Sequence, residues 1–305
     1  MNYYDSIQDL IGNTPMLKIN HFNIPKHVKL FAKLEFYNPG GSVKDRIGQW
    51  ILQKAEKEGK IKPGNTIIEA TAGNTGIGIS LAAINKGYKV IFVVPEKFSI
   101  EKQMIMKALG AKIISTPEEK GMNGAFEKVQ ELKAQMKDAF VVDQFYNHHN
   151  PQAHYMYTGR EIYEQLDGKI DIFVSGAGSG GTFTGVMSYL KEQNEKIRGV
   201  LVDPIGSIIG GGVCAPYKIE GIGNDFIPKI MDTSLIDEVE KISDDEALQG
   251  VKELAIKEGL LVGTSSGAAF IGAIKQARKI KYGNIVVLLA DRGDRYLSKN
   301  IYQLL

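Results

Sequence analysis

The chain has 305 residues, 43% of them apolar and 24% charged, with a formal net charge of +2. That length accommodates two domains or one large α/β body, and the balanced charge excludes the strongly basic profile of a nucleic-acid or membrane-surface protein. No apolar run approaches the roughly 18 residues of a membrane span, no signal-peptide pattern opens the chain, and the one cysteine, Cys214, excludes an internal disulfide, so a cytoplasmic location is expected.

In chain order, short β-branched runs alternate with longer amphipathic segments, the pattern of parallel α/β architecture. The stretch 28–37 reads as a strand that runs into Asn38-Pro-Gly-Gly-Ser-Val-Lys44-Asp-Arg46. Ser42 with Asp45 three residues on predicts a capping box and places Lys44 in a first helical turn. Free N–H groups and the helix dipole disfavour an ammonium ion there, which primes an amine to condense with an aldehyde. A lone lysine at such a place is ordinarily a solvated helix end, so the reading depends on what accompanies it. Further strands are expected at 66–70, 89–94, 112–115, 140–143, 170–174, 198–202, 260–262 and 284–289. Several are apolar throughout, as in sheets covered on both faces. A helix capped by Ser99 ends at Gly110, and Gly87 closes the preceding one. The Asn-rich segment 144–151, closed by Pro151, is a candidate domain boundary. The Lys- and Glu-rich stretches at 55–62 and 126–137 read as solvated helix faces. His148, His149 and His154 show no metal-ligand spacing and are expected to be surface or structural, so no metal is expected.

Four glycine-rich turns follow strands: 38–42, 71–76, 176–182 and 263–267. In open parallel sheets ligands bind at the carboxyl ends of strands, where glycine lets N–H groups approach an anion and Ser or Thr adds hydroxyl donors. Four such turns imply a shared crevice for a phosphorylated or carboxylated ligand. One has a rival reading. Gly176-x-Gly178-x-x-Gly181 matches the dinucleotide fingerprint, with Asp203 ending the next strand, as in a nicotinamide-dependent dehydrogenase. A lysine together with a phosphate-binding turn points instead to pyridoxal phosphate, an aldehyde for Lys44 and a phosphate for the glycines.

These motifs, in this order, resemble the cysteine synthase and cystathionine β-synthase family of fold-type II pyridoxal-phosphate enzymes. The resemblance runs through Ile11-Gly-Asn-Thr-Pro15, Asn38–Lys44, Thr71-Ala-Gly-Asn-Thr-Gly76, Gly178-Ser-Gly-Gly-Thr182, Glu220-Gly-Ile-Gly223, Gly263-Thr-Ser-Ser-Gly-Ala268 and Arg295-Tyr-Leu-Ser298. It implies two domains, each an open, mostly parallel sheet flanked by helices. A smaller, mobile substrate-loop domain would span 40–145, and a larger cofactor-binding domain 1–39 plus 146–305. Lys44 would bond the cofactor and move the substrate's α-proton. Gly178, Ser179, Gly180, Gly181 and Thr182 would wrap the phosphate, Asn74 would meet the ring hydroxyl, and Ser265 would face the ring nitrogen. Thr71, Ala72, Asn74, Thr75 and Gln144 would take the substrate carboxylate, while Gly221 and Gly223 leave room beside the ring. The implied reaction is β-replacement on O-acetylserine, serine or cysteine through an aminoacrylate. Its products would be cysteine, cystathionine or lanthionine, with hydrogen sulfide as substrate or product, and the implied assembly is a homodimer. Serine or threonine dehydration is the alternative within the class, and a non-catalytic module on the same scaffold is a third. Ala72 stands where many members have serine, and Gly223-Asn-Asp-Phe-Ile-Pro228 looks closer to the cystathionine-forming members. Those departures leave the acceptor open and the cofactor unaffected.

Overall fold

A computed structural model describes every residue except Asn2, Ala72, Lys97, Leu304 and Leu305. The chain divides into two compact units, one of Met1–Ile11 with Asn38–His149, the other of Gly12–Tyr37 with Asn150–Leu305. The change of unit after His149 falls inside the Asn-rich segment 144–151. Residues 1–11, expected in the larger domain, sit instead with the 38–149 unit. The 3-10 turn Ile7–Leu10 brings Gln8 to α-helical carbonyls there, its Nε2 donating to Leu81 O at 2.8 Å, and Gln49 Nε2 donates to Gln8 O at 3.1 Å.

Strands β1 (Met16–Ile19) and β2 (His27–Leu34) belong to the larger unit. The smaller unit follows in order: α1 (Lys44–Lys57), β3 (Thr66–Ala70), α2 (Asn74–Ala83), β4 (Lys89–Pro95), α3 (Ile100–Ala108), β5 (Lys112–Thr116), α4 (Gly121–Gln135) and β6 (Ala139–Val141). Its four strands form a parallel sheet in the order β5-β4-β3-β6. Ile67, Ile68, Phe92, Val93 and Val94 are fully buried in it, as strands sandwiched between helical layers must be. Ile47, Ile51, Leu52 and Ala55 form the buried stripe of α1, whereas α2 is buried from Thr75 to Ala83 and so is a core helix.

The larger unit continues with α5 (His149–Ala153), a π-helical turn at His154–Gly159, α6 (Arg160–Gln165), β7 (Ile172–Gly176), α7 (Gly181–Gln193), β8 (Arg198–Pro204), β9 (Glu238–Ile242), α8 (Asp244–Glu258), α9 (Thr264–Lys279) and β10 (Tyr282–Leu289). The six strands run β1-β2-β10-β7-β8-β9, all parallel except the antiparallel β1–β2 pair at one edge. A core of Val174, Val200, Val202, Phe270, Ile285 and Val287 lies along it.

Three local expectations are corrected. The segment 28–37 is strand only to Leu34, and Glu35–Tyr37 closes into a 3-10 turn. The apolar run 260–262 is not a strand. Gly259 ends α8 with φ 69°, and the Leu260 N–H returns to Leu254 O at 3.1 Å, so the first residue of the run caps the helix and only Val262 makes a bridge, to Arg292. The capping box at Ser42 and Asp45 does not form either. Gly41 turns with φ 74°, α1 opens one residue late at Lys44, Ser42 Oγ accepts the Lys44 N–H at 3.2 Å, and Asp45 folds back to accept the Gly40 N–H. β1 and β9 were not anticipated, the second because Glu238-Val-Glu-Lys-Ile242 carries three charges in five residues.

Candidate active site

In the smaller unit Lys44 is half-buried as the first residue of α1. Its backbone is held by a glycine contact between helices. A Cβ on Gly78 of α2 would lie 2.7 Å from Lys44 C and closer still to its carbonyl oxygen, and one on Gly48 of α1 would lie 2.7 Å from Ile79 N. Only glycines permit that approach.

The 71–76 turn joins β3 to α2. Buried Thr71 keeps the sheet register through its N–H to Val93 O at 3.2 Å, and its hydroxyl accepts the Gly73 N–H at 3.2 Å. Gly73 is the N-cap of α2 and supplies no capping side chain, so Asn74 and Thr75 occupy the first helical positions, where N–H groups lack helical acceptors. Thr75 Oγ1 donates to Gln144 Oε1 at 2.7 Å. The structure therefore brings Thr71, Asn74, Thr75 and Gln144 together at the carboxyl end of β3. Ala72 lies outside the described residues.

Gln144 is reached through a group that sequence reasoning missed. Glu69 of β3 is 2% exposed, and its carboxyl oxygens accept the N–H groups of Asp143, at 2.7 Å, and Gln144, at 3.2 Å. Burial pushes the Glu69 carboxyl up to about 8, against the lowering effect of those two bonds. Burial also raises Asp143.

In the larger unit, the turn after β7 enters α7 through Gly180 at φ 82°. A Cβ on Gly180 would lie 2.6 Å from Met231 Cβ, one on Gly181 2.5 Å from Asn150 Cγ, and one on Gly178 against the Gly221 carbonyl. The turn thus has no space for a side chain at these glycines, and its backbone N–H groups sit at the start of a 13-residue helix without helical acceptors, which is the donor set an anion needs. Asn224 Nδ2 donates to Gly178 O at 2.6 Å, and Asn150 Nδ2 donates to Ser179 Oγ at 3.1 Å. His154, expected to be surface or structural, is fully buried and bridges two hydroxyls, Thr158 Oγ1 at 2.9 Å and Thr182 Oγ1 at 3.2 Å. No sequence spacing signals that contact. His149 stays in the smaller unit, with Nε2 3.0 Å from Glu58. Among the described residues there is no cluster of histidine, cysteine or carboxylate suited to a metal ion.

Ser265, 5% exposed, lies in the first turn of α9, and the nearest atom to a Cβ built on Gly221 (φ 87°) is Ser265 Oγ at 3.8 Å. Space therefore remains beside Gly221 with a hydroxyl facing it. Glu220 N–H donates to Thr264 Oγ1 at 3.1 Å, tying the 220–223 turn to α9. Gly223 has φ 81° and is backed by the Tyr217 ring. Burial raises the Tyr217 hydroxyl to about 12, reinforced by Asp203, Asp225 and Cys214. Cys214 is exposed. At the start of α9, Ser266 Oγ accepts the Ala290 N–H at 2.8 Å, and Tyr296 of the 295–298 motif donates its hydroxyl to Asp291 at 2.6 Å.

The donor set of the larger unit fits a phosphate, and that of the smaller unit, which also holds Lys44, fits a carboxylate. The family model described as pyridoxal-phosphate dependent enzyme matches residues 7–291. The chain is 51% identical over 304 residues, 99% of each chain, to the O-acetylserine dependent cystathionine β-synthase of Bacillus subtilis. It is 49% identical over 300 residues to a cysteine synthase of Helicobacter pylori, covering 97% of this chain and 98% of that one. The crystal structure of an O-acetylserine dependent cystathionine β-synthase from Helicobacter pylori superposes with a TM-score of 0.95 at 48% identity, covering 99% of this chain and 100% of that one. The chain belongs to the pyridoxal-phosphate dependent enzyme family. This assignment sets aside the nicotinamide reading of Gly176-x-Gly178-x-x-Gly181.

Proposed function

We propose that the chain catalyses β-replacement on O-acetylserine, with homocysteine as its preferred acceptor and sulfide as a second. The Cβ–O bond to acetate breaks, a Cβ–S bond to the thiol forms, and the products are cystathionine and acetate. The observation that carries this is the end-to-end likeness, at 51% identity, to a relative named for O-acetylserine as donor and cystathionine as product, with Lys44 and all the glycine turns in place. Asn224 and Asp225 in the turn after Gly223 accord with it. The likeness to a cysteine synthase favours sulfide as the second acceptor.

Pyridoxal phosphate, when bound, supplies the electron sink for breaking the bonds at Cα and Cβ. Gly178, Ser179, Gly180, Gly181 and Thr182 hold its phosphate, Asn74 meets its ring hydroxyl and Ser265 its ring nitrogen. A neutral hydroxyl such as that of Ser265, unlike a carboxylate, would not hold a proton on that nitrogen, a setting that would favour loss of a β-substituent over transamination. Lys44 would bond the cofactor and would afterwards hold the α-proton as general base. Thr71, Ala72, Asn74, Thr75 and Gln144 take the substrate carboxylate through N–H, hydroxyl and amide donors. Gly221 and Gly223 give the substrate and the entering thiol their room. A homodimer in the cytoplasm completes the proposal.

The test is a product panel read by mass: O-acetylserine, serine and cysteine, each with homocysteine, sulfide or cysteine. Cystathionine formed fastest from O-acetylserine and homocysteine is the expected result. Keto acid and ammonia released as fast without any thiol would make the protein a dehydratase instead. A Lys44→Ala variant that turned over normally would remove the lysine from the scheme.

A further inference from the structure

Every other residue of β3, Thr66-Ile-Ile-Glu-Ala70, is suited to a strand buried on both faces, and Glu69 is not. Placing a carboxyl group there is unfavourable unless its oxygens find donors. The donors come from one place. β3 and β6 pair in register as far as Ile68 opposite Val141, and the Val142 N–H still reaches Ile68 O at 3.2 Å. There the ladder stops. Asp143 turns into the left-handed region at φ 56°, a conformation that is unfavourable for a residue with a Cβ. The two N–H groups that this turn presents, those of Asp143 and Gln144, both go to the Glu69 carboxyl, at 2.7 and 3.2 Å. Gln144 leaves the turn with its side-chain oxygen on the Thr75 hydroxyl at 2.7 Å. A continuous run of bonds therefore connects a group inside the sheet to the second residue of α2.

We infer that Glu69 is a positioning residue for the donor's carboxylate: it fixes the Asp143–Gln144 turn, and through it the Gln144 amide beside Thr75. This rests on the proposal that Gln144 and the 71–75 turn take that carboxylate. Glu69 itself touches no substrate. Protonated or ionised, its carboxyl offers an acceptor lone pair to each N–H, whereas an amide offers one oxygen and turns its own NH2 against the other donor.

The decisive variant is Glu69→Gln, compared in the holoenzyme with Gln144→Ala and with the double variant. E69Q raises KM for O-acetylserine about tenfold, the effect of one misplaced hydrogen bond, and leaves KM for the thiol and the affinity for pyridoxal phosphate unchanged. Added to Q144A it changes KM no further, because both act through the same side chain. Residue-resolved hydrogen exchange of the cofactor-free protein reads the same event without turnover, as lost protection of the Asp143 and Gln144 amides. If Q144A raises KM and E69Q leaves it within twofold, or if E69Q and Q144A multiply, the role given to Glu69 is wrong. If Q144A itself leaves KM unchanged, the carboxylate assignment fails, and amide protection alone then decides whether Glu69 holds the turn. Should E69Q not fold, the wild-type amides settle it: exchange of Asp143 and Gln144 at the rate of amides in an unstructured peptide overturns the inference.

Discussion

Replacing Gly78 by alanine drives a methyl group into the backbone of the helix that carries Lys44. The new Cβ would stand 2.7 Å from Lys44 C and 3.0 Å from Asp45 Cα, nearer still to the Lys44 carbonyl oxygen, and none of these is a side-chain atom able to swing away. Carbon atoms settle about 3.5–4.0 Å apart, so α1 and α2 must part by roughly 1 Å at this crossing. Overpacking of this kind costs about 1–3 kcal/mol, and alanine in a helix interior returns up to about 1 kcal/mol over glycine. The net loss of stability is therefore small, about 1–2 kcal/mol, or a fall of roughly 2–8 °C in Tm. Catalysis is far more sensitive, because a displacement of about 1 Å at a reacting group is worth about a hundredfold in rate. G78A should thus remain folded and bind cofactor, while kcat/KM for the amino-acid donor falls about a hundredfold with thiol in excess. Gly48→Ala, which meets the same crossing from α1 at 2.7 Å from Ile79 N, should lose activity similarly. A G78A enzyme with kcat/KM within threefold of wild type would refute the argument that this glycine contact places Lys44.

Lys33 is fully buried in the larger unit, its Nζ donating to Thr14 O at 2.8 Å, Glu161 Oε2 at 2.7 Å and Gln165 Oε1 at 2.9 Å, so Lys33→Met leaves the partly exposed Glu161 carboxylate short of its cation and the Thr14 carbonyl short of a donor, and should cost about 1–3 kcal/mol. Thermal unfolding checks it, and an unchanged Tm would mean that the network contributes nothing net. Tyr296→Phe removes the 2.6 Å bond to buried Asp291 and should destabilise by about 1–3 kcal/mol, read by denaturant unfolding at constant m. Because burial holds the Glu69 carboxyl up to about 8, the folded protein keeps a proton that the unfolded chain releases near 4.5. Wild type should therefore lose stability relative to E69Q by roughly 1.4 kcal/mol per pH unit between those values, and no more above them. A difference in stability that stayed flat from pH 5 to 8 would show that Glu69 does not titrate in that way.

The parts of the site that the sequence displayed are those set by local backbone demands. Gly180, Gly221 and Gly223 all take positive φ, and Gly178 and Gly181 sit where a Cβ would strike Gly221 or Asn150. Such requirements leave glycine in the sequence whatever the distant packing, and the helices after them follow from periodicity. Local reasoning went wrong where a residue served a neighbour instead of its own element. Asp45 satisfies Gly40 rather than a cap, and Leu260 closes α8 rather than starting a strand. It could not reach Glu69, or the contact that His154 makes with Thr182, at all. The first meets Gln144 across 75 positions of sequence and the second meets Thr182 across 28. Both pairings exist only once strand register and helix packing are fixed, and neither carries a spacing that could be read beforehand.

Several of the residues assigned to the chemistry share one kind of address. Lys44, Asn74, Gly181, Thr182 and Ser265 each lie in the first turn of a helix, in α1, α2, α7 and α9. Two of these helices, α2 and α7, leave directly from the carboxyl ends of parallel strands β3 and β7. A first turn carries N–H groups without helical acceptors and the positive end of the dipole, so it binds an anion with backbone alone. That explains how small residues, with little chemistry of their own, can make up most of the site. It also separates what such a scaffold fixes from what it leaves free. Phosphate and carboxylate recognition depends on backbone geometry that few sequences satisfy. Acceptor choice, on the proposed function, would fall instead to the 217–225 turn, where Asn224 holds the Gly178 carbonyl and Tyr217 backs Gly223, so that of these side chains Asp225 can change with least disturbance to the phosphate turn. Exchanges at Asp225 should accordingly alter the ratio of cystathionine to cysteine formed from mixed thiols while leaving KM for O-acetylserine in place. A change in donor KM as large as the change in product ratio would show that the two functions are not separable in this way.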